Sequence, residues 1–312
     1  MNCCPIVSGN NNDLQKRNNM KSGFIAVLGL PNAGKSTLTN ALVGEKVSIV
    51  SWRPQTTRDK IIGIVNQDDC QAVLIDTPGI HTGKSKLSAY MAEEVTSAKS
   101  ASDGALYVLD GSKVPDKDTY AFIRSLASST PTVVVVNKMD IADKAVAMQT
   151  VAKLSEIKNL EVVPISAATK ENLPELMKVI KGMLKDNVPY YPEDMYTDKP
   201  LRFMAAEIVR EKALKFLLAE IPHGIGVEIT KFDVGEDGIT RIEADVICEK
   251  DTHKPIIIGK GGETLKRISI AARKELETLL DGQVFLRLFV KVKSGWKDDG
   301  AVLSALGYIK KK

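Results

Sequence analysis

Two short glycine–lysine stretches carry the chemically informative residues of this sequence. The first, "GLPNAGKST" (29–37), has the pattern G-x-x-x-x-G-K-S and lies between an apolar run, "FIAVLG", and a helical pattern, "STLTNALVG". Its glycines let backbone N–H groups turn inward around phosphate oxygens, so Asn32, Ala33, Gly34, Lys35, Ser36 and Thr37 form a phosphate cradle, and the following helix N-terminus adds partial positive charge. Lys35 can reach the outer phosphates, and the Ser36 hydroxyl suits Mg²⁺. The second stretch, "GKGG" (259–262), lies within "IIIGKGGETLKR". It lacks the cradle spacing and a preceding buried strand, and it joins two helical patterns.

Three later segments follow the first loop in the order that a triphosphate switch requires. "DTPG" (Asp76, Thr77, Pro78, Gly79) ends an apolar run and is followed by Ile80. Asp76 can hold the metal through water, and the Gly79 N–H can meet a terminal phosphate. "NKMD" follows the most apolar run. Asp140 can accept two hydrogen bonds from the ring N–H and amino group of guanine. Adenine lacks that edge, and an unpaired carboxylate would carry a penalty, so the motif selects GTP. Asn137 is expected to brace the loops and the Lys138 stem to pack on the base. Ser166, Ala167 and Ala168 offer backbone N–H groups to the guanine oxygen. In "VSIVSWRPQTTRD", Thr57 is the candidate for the hydroxyl that completes the Mg²⁺ shell, with Thr56 in reserve. The metal set is thus Ser36, Thr57 and Asp76. Ile80 stands where Ras-like proteins carry a water-orienting glutamine. Isoleucine cannot hydrogen-bond through its side chain, so unassisted hydrolysis should be slow. Asn32 is a candidate K⁺ ligand that would replace an arginine finger, against a reading in which it only shapes the loop. Lys35, Thr57 and Asn32 are the residues assigned to the hydrolytic step.

Around "GKGG" the charge balance tilts: residues 250–274 hold seven Lys and Arg against two Asp and Glu. A G-x-x-G turn between helices lets a sugar-phosphate backbone approach closely. This is the clamp of a KH module, which grips about four nucleotides of single strand. Lys254, Gly259, Lys260, Gly261, Gly262, Lys266 and Arg267 are the candidate RNA contacts. Ile256, Ile257, Ile258 and Ile268 read mainly as core, and Trp296 as packing rather than base stacking.

The wider sequence supplies elements to hold these residues. From Phe24 to about Leu184, strand-like and helix-like segments alternate, which builds a mixed, mostly parallel α/β sheet covered on both faces. "KIIGIVN" and "QAVLIDT", joined by a short polar turn, predict an antiparallel edge hairpin. Pro189, Pro192 and Pro200 mark a linker over 185–200. Residues 201–312 then read as a smaller α+β unit ordered helix–strand–strand–helix–helix–strand. Residues 1–22 read as a disordered extension, with Met20 a second candidate start. No apolar run reaches the ~18 residues of a membrane span. Cys3, Cys4, Cys70 and Cys248 have no metal spacing and read as free thiols of a reducing cytoplasm. Net charge is +4, which permits a nucleic-acid partner without demanding one.

Taken together, "GLPNAGKSTLTNAL", "PQTTRDKIIGI", "LIDTPGIH", "NKMD", "PISA", "HKPIIIGKGGETLKRI", "VFLRLFVKVKSGWKDD" and "LGY" closely resemble the Era family of bacterial GTPases, over about Gly23 to Lys310. The resemblance implies a P-loop GTPase domain (23–184), the linker, and a type II KH domain (201–312). It also implies a monomeric, cytoplasmic GTP/GDP switch using Mg²⁺. Such a protein binds the 3′ region of small-subunit ribosomal RNA, assists assembly of the small (30S) subunit, and makes peripheral contact with the inner membrane face.

Overall fold

The computed structural model describes residues 20–51, 53, 56–67, 69–79, 85–217 and 221–308. The N-terminal unit is a six-stranded sheet of β1 (Lys21–Leu28), β2 (Ile61–Gln67), β3 (Cys70–Asp76), β4 (Gly104–Asp110), β5 (Thr132–Asn137) and β6 (Leu160–Pro164). Their spatial order is β2-β3-β1-β4-β5-β6. All neighbours are parallel except β2 and β3, which form the expected edge hairpin. Side chains alternate across the strands, so each strand feeds two cores. Ile25 and Val27 pack with α1 (Lys35–Val43) and α5 (Leu173–Met183) on one face. Ala26 and Leu28 pack with α3 (Lys117–Ser129) and α4 (Lys144–Ser155) on the other.

The sheet begins earlier than expected. Lys21 and Ser22, assigned above to the extension, belong to β1. The Ser22 N–H donates to Asp186 O at 2.7 Å and its hydroxyl to Val188 O at 2.6 Å. Met20 is buried as well, and residues 1–19, with Cys3 and Cys4, lie outside the described residues.

The proline-rich segment 185–200 is pinned to the sheet instead of hanging as a free tether. The amides of Tyr190 and Tyr191 donate to the buried Gln71 carbonyl oxygen, and the Gln71 amide donates to Tyr191 O at 2.8 Å. The Ile64 amide donates to Tyr196 O at 2.9 Å.

The C-terminal unit has the expected order, with one addition. It comprises α6 (Leu201–Phe216), β7 (Gly226–Val234), β8 (Thr240–Cys248), α7 (His253–Ile258), α8 (Glu263–Leu279), β9 (Val284–Val292) and α9 (Gly300–Ala305). Its sheet runs β7-β8-β9, with the first pair antiparallel and the second parallel. Ile257 and Ile268 are core residues, whereas Ile256 is 52% exposed. Another cluster crosses between the units. Leu87 and Met91 of α2 (Lys86–Ser100) pack against Ile247, Trp296, Leu303 and Tyr308. Trp296 is fully buried and donates to Gly224 O at 3.0 Å, so it packs as expected.

Gln71→Ala removes the group that ties the linker down. It should cost about 2 kcal/mol in chemical denaturation and open residues 189–197 to limited proteolysis. An unchanged cleavage pattern would contradict the pinned linker.

Candidate nucleotide and RNA sites

The first loop lies at the C-terminal end of β1, between β3 and β4, where a ligand crevice forms in open α/β sheets. Gly29 has φ +144°, and a Cβ there would meet Val108 O at 2.4 Å. At Gly34, φ is +96° and a Cβ would meet Asn137 Nδ2 at 2.2 Å. Only glycine meets both demands, and the chain then enters α1 with its first amides exposed. Asn32 takes φ +63°, which asparagine tolerates. The Lys35 ammonium donates to Gly29 O and Leu30 O at 3.1 and 3.0 Å. Burial lowers its pKa to about 8, while Asp76 opposes the fall.

The metal candidates converge. The Ser36 hydroxyl donates to Asp76 Oδ2 at 2.7 Å and lies 2.9 Å from Thr57 Oγ1. Burial pushes the Asp76 pKa up, and Lys35 and Ser36 pull it back. The other oxygen, Asp76 Oδ1, is buried and has no hydrogen-bond partner. Two hydroxyls and a carboxylate with an unsatisfied oxygen form a hard donor set that fits Mg²⁺. The structure also separates the two threonines. Thr57 faces this cluster, whereas the Thr56 hydroxyl turns back to Arg53 O at 2.6 Å.

These residues line a cleft of about 520 Å³ that continues past Gly79 to Asp110 and Lys138. A Cβ on Gly79 would meet Pro31 at 2.8 Å, so the "DTPG" backbone lies close against the phosphate loop. Thr77 is buried with its hydroxyl on Val27 O at 2.8 Å, which anchors the segment to the sheet. Ile80 lies outside the described residues. Asn137 ties two loops together, donating to Ala33 O at 3.0 Å and accepting from the Ala167 amide at 2.9 Å. Lys138, at φ +66°, pairs with Asp110 at 2.7 Å. The Asp140 carboxylate accepts from the Ser166 hydroxyl at 2.7 Å and is otherwise exposed, and Ala168 follows on the surface. Asp110 and Lys113 are charged cleft residues that sequence reasoning missed; Asp110 ends β4 in "LYVLD", where its carboxylate reads as a simple strand terminus.

The second site is built differently. Gly259, Gly261 and Gly262 take φ of +77°, +60° and +82°. A Cβ on Gly259 would meet Thr264 Oγ1 at 2.3 Å, but the other two glycines face open space. Gly262 leads into α8 without a side-chain cap, so the first amides of that helix are unclaimed by one. Lys254, Lys260 and Lys266 are exposed around the turn. Arg267 is exposed too, and its guanidinium stacks 4.9 Å from the Phe216 ring.

Between the two sites lies a contact with no sequence signal. The loop that carries Thr57 is held by α6 at several points. The Val50 amide donates to Glu211 Oε1 at 2.8 Å. The Arg210 guanidinium donates to Thr56 O. Arg53 caps the other end of α6, donating to Leu214 O at 2.8 Å and to Leu217 O. Arg58 donates to Ile225 O at 2.6 Å and lies over Trp296 at 5.5 Å. Burial opposes the Glu211 charge, but Lys212, Lys46 and the Val50 amide outweigh it and hold its pKa below the ordinary value.

The chain is similar to known proteins along nearly its whole length. Residues 24–138 match the family model described as 50S ribosome-binding GTPase, and residues 220–297 match the KH domain model. The chain is 44% identical to "GTPase Era" of Clostridium botulinum (strain Okra / Type B1), covering 94% of this chain and 99% of the relative. Identity to "GTPase Era" of Clostridium kluyveri is also 44%, over 93% and 99%. Among solved structures, an alanine variant of Era from Aquifex aeolicus bound to GDP and AlF4⁻ superposes with a TM-score of 0.87 at 38% identity, over 93% of this chain and 99% of that one. A complex of Era with MgGDPNP and nucleotides 1506–1542 of 16S ribosomal RNA gives the same TM-score and coverage at 39% identity. With that identity sustained along nearly the whole chain, and with the cleft and the helix-flanked glycine turn both in place, this chain belongs to the Era family of GTPases.

Proposed function

We propose that this GTPase is a switch in which GTP, held with Mg²⁺, sets the affinity of the KH unit for the 3′ region of 16S ribosomal RNA, and that it thereby assists assembly of the small ribosomal subunit. One observation carries the switch reading. The Thr57 loop contacts the metal cluster on one side and α6 of the RNA-binding unit on the other. A ligand that orders Thr57 can therefore favour one placement of α6, and only such unequal interaction shifts an equilibrium. Support for the RNA partner comes from the relative solved with 16S nucleotides, which superposes over both units. The description naming the 50S ribosome concerns the GTPase core alone. Cytoplasmic placement, a monomeric state and peripheral membrane contact rest on the family resemblance; among the described residues no helix is long and apolar enough to cross a membrane.

Ser36, Thr57 and Asp76 would hold Mg²⁺, which when bound would supply charge neutralisation at the outer phosphates. The chain supplies the rest. Backbone amides of residues 32–37 fix the phosphates, Lys35 adds a buried positive charge, and Ser36, Thr57 and Asp76 hold the metal in register. Asp140, oriented by Ser166, selects guanine. We further propose that the Asn32 side-chain oxygen would hold a K⁺, which when bound would supply the positive charge of an arginine finger.

Three outcomes follow. Affinity for an RNA of 16S nucleotides 1506–1542, measured by fluorescence anisotropy, should be at least about fivefold higher with a non-hydrolysable GTP analogue than with GDP. Equal affinities would favour a constitutive RNA-binding module with a nucleotide-sensing domain. Replacing Lys260 and Gly261 with aspartate should weaken the same RNA about tenfold or more, and unaltered affinity would reject the clamp. Turnover in K⁺ should exceed that in Na⁺ by roughly tenfold, and equal rates would remove the cation from the mechanism.

A further inference from the structure

We propose that Arg210 and Glu211, two adjacent residues of α6 in the KH unit, are positioning residues for the GTPase site. They hold the Thr57 loop in its metal-ligating conformation. This deepens the switch reading above by making the KH unit a structural part of the nucleotide site.

Among its described residues, the loop that carries Thr57 has no regular structure of its own. The described residues between α1 and β2, Gly44–Ser51, Arg53 and Thr56–Lys60, form neither helix nor strand, so no ladder fixes them. Thr57 must nonetheless present its hydroxyl 2.9 Å from Ser36. Its neighbours are fixed from the other unit. On one side, the Arg210 guanidinium donates to the Thr56 carbonyl. On the other, Arg58 is buried with its guanidinium on Ile225 O and over Trp296. Further upstream, Glu211 accepts the Val50 amide. Consecutive residues of one helix therefore bracket the loop before and after Arg53.

Arg210 is built for position. It is 1% exposed, and Glu207 one turn earlier grips it through Nε at 2.8 Å and Nη2 at 2.5 Å. This bidentate pairing fixes the guanidinium plane, and Nη2 also donates to the Thr56 carbonyl. Burying these charges is costly unless each is paired. Glu207 supplies the charge partner, and the Thr56 carbonyl takes a buried donor that would otherwise go unmet. Arg53 adds a reciprocal contact, since its cation caps the carbonyl end of the same helix. Glu207, Arg210 and Glu211 are not among the residues that line the cleft; they reach it through Val50, Thr56 and Thr57 of the loop.

GDP does not call on Thr57, because that hydroxyl completes the metal shell only beside a terminal phosphate. The affinities for GTP analogue and GDP therefore separate positioning from general damage. The experiment measures both affinities, and the Mg²⁺ concentration for half-maximal analogue binding, in the full chain without RNA. Arg210→Ala strands the Glu207 carboxylate, so the variants are the double change E207Q/R210Q and, independently, E211A, each checked by thermal unfolding. E211A removes the acceptor for the Val50 amide and leaves Lys46 and Lys212 paired with Glu275. Both should bind the analogue about tenfold more weakly, keep GDP affinity within about twofold, and need more Mg²⁺. Arg210→Lys, which keeps a cationic donor, should fall between wild type and the double variant. Unchanged affinities, or equal losses for both nucleotides, would overturn the proposal. Because no RNA enters the assay, that failure differs from nucleotide-independent RNA binding, which would sink the switch reading alone.

Discussion

Thr57 can serve the metal cluster only if an irregular loop is held still, and the hold comes from α6. Arg210 and Glu211 take the loop backbone, while Arg53 of the loop takes the end of the helix. Much of the two-unit geometry follows from this mutual grip. Arg210, Glu207 and Arg58 are charged groups removed from water. Such groups cost several kcal/mol each when unpaired, so the contact tolerates little sliding. A contact of that kind tends to exist in discrete arrangements, which is what a switch requires.

The same constraint gives the interface its second half. The segment after "DTPG" leads into α2, whose Leu87 and Met91 share a core with Trp296, Leu303 and Tyr308. Arg58 stacks on that same Trp296. The Thr57 loop and α2, which follows the "DTPG" segment, therefore both contact the KH unit.

Much of the chemistry was legible in the sequence because phosphate binding is a backbone function with strict spacing. Gly34 has to be glycine to clear Asn137, and the pattern records it. The sheet was legible because apolar runs such as "TVVVVN" leave few alternatives. Other features were not. Thr56 and Thr57 differ only in which way the loop turns, which a TT pair does not reveal. On α6, Glu207, Arg210 and Glu211 share a stripe opposite an apolar one. That pattern reads as an ordinary solvated face, and only tertiary docking buries it. The linker prolines suggested a tether, whereas the partner that pins them, Gln71, lies more than a hundred residues upstream. Asp69 likewise meets Lys21 only once the strands are paired.

The central claim is that one loop serves nucleotide and RNA units at once, so their affinities must be coupled reciprocally. The most direct measurement is GTP-analogue affinity and GDP affinity, each with and without a saturating RNA of 16S nucleotides 1506–1542. The account predicts that RNA tightens analogue binding, relative to GDP, by the same factor by which the analogue tightens RNA binding. If RNA left the ratio of the two nucleotide affinities unchanged, the grip of α6 on the Thr57 loop would be a static interface and the account would be wrong.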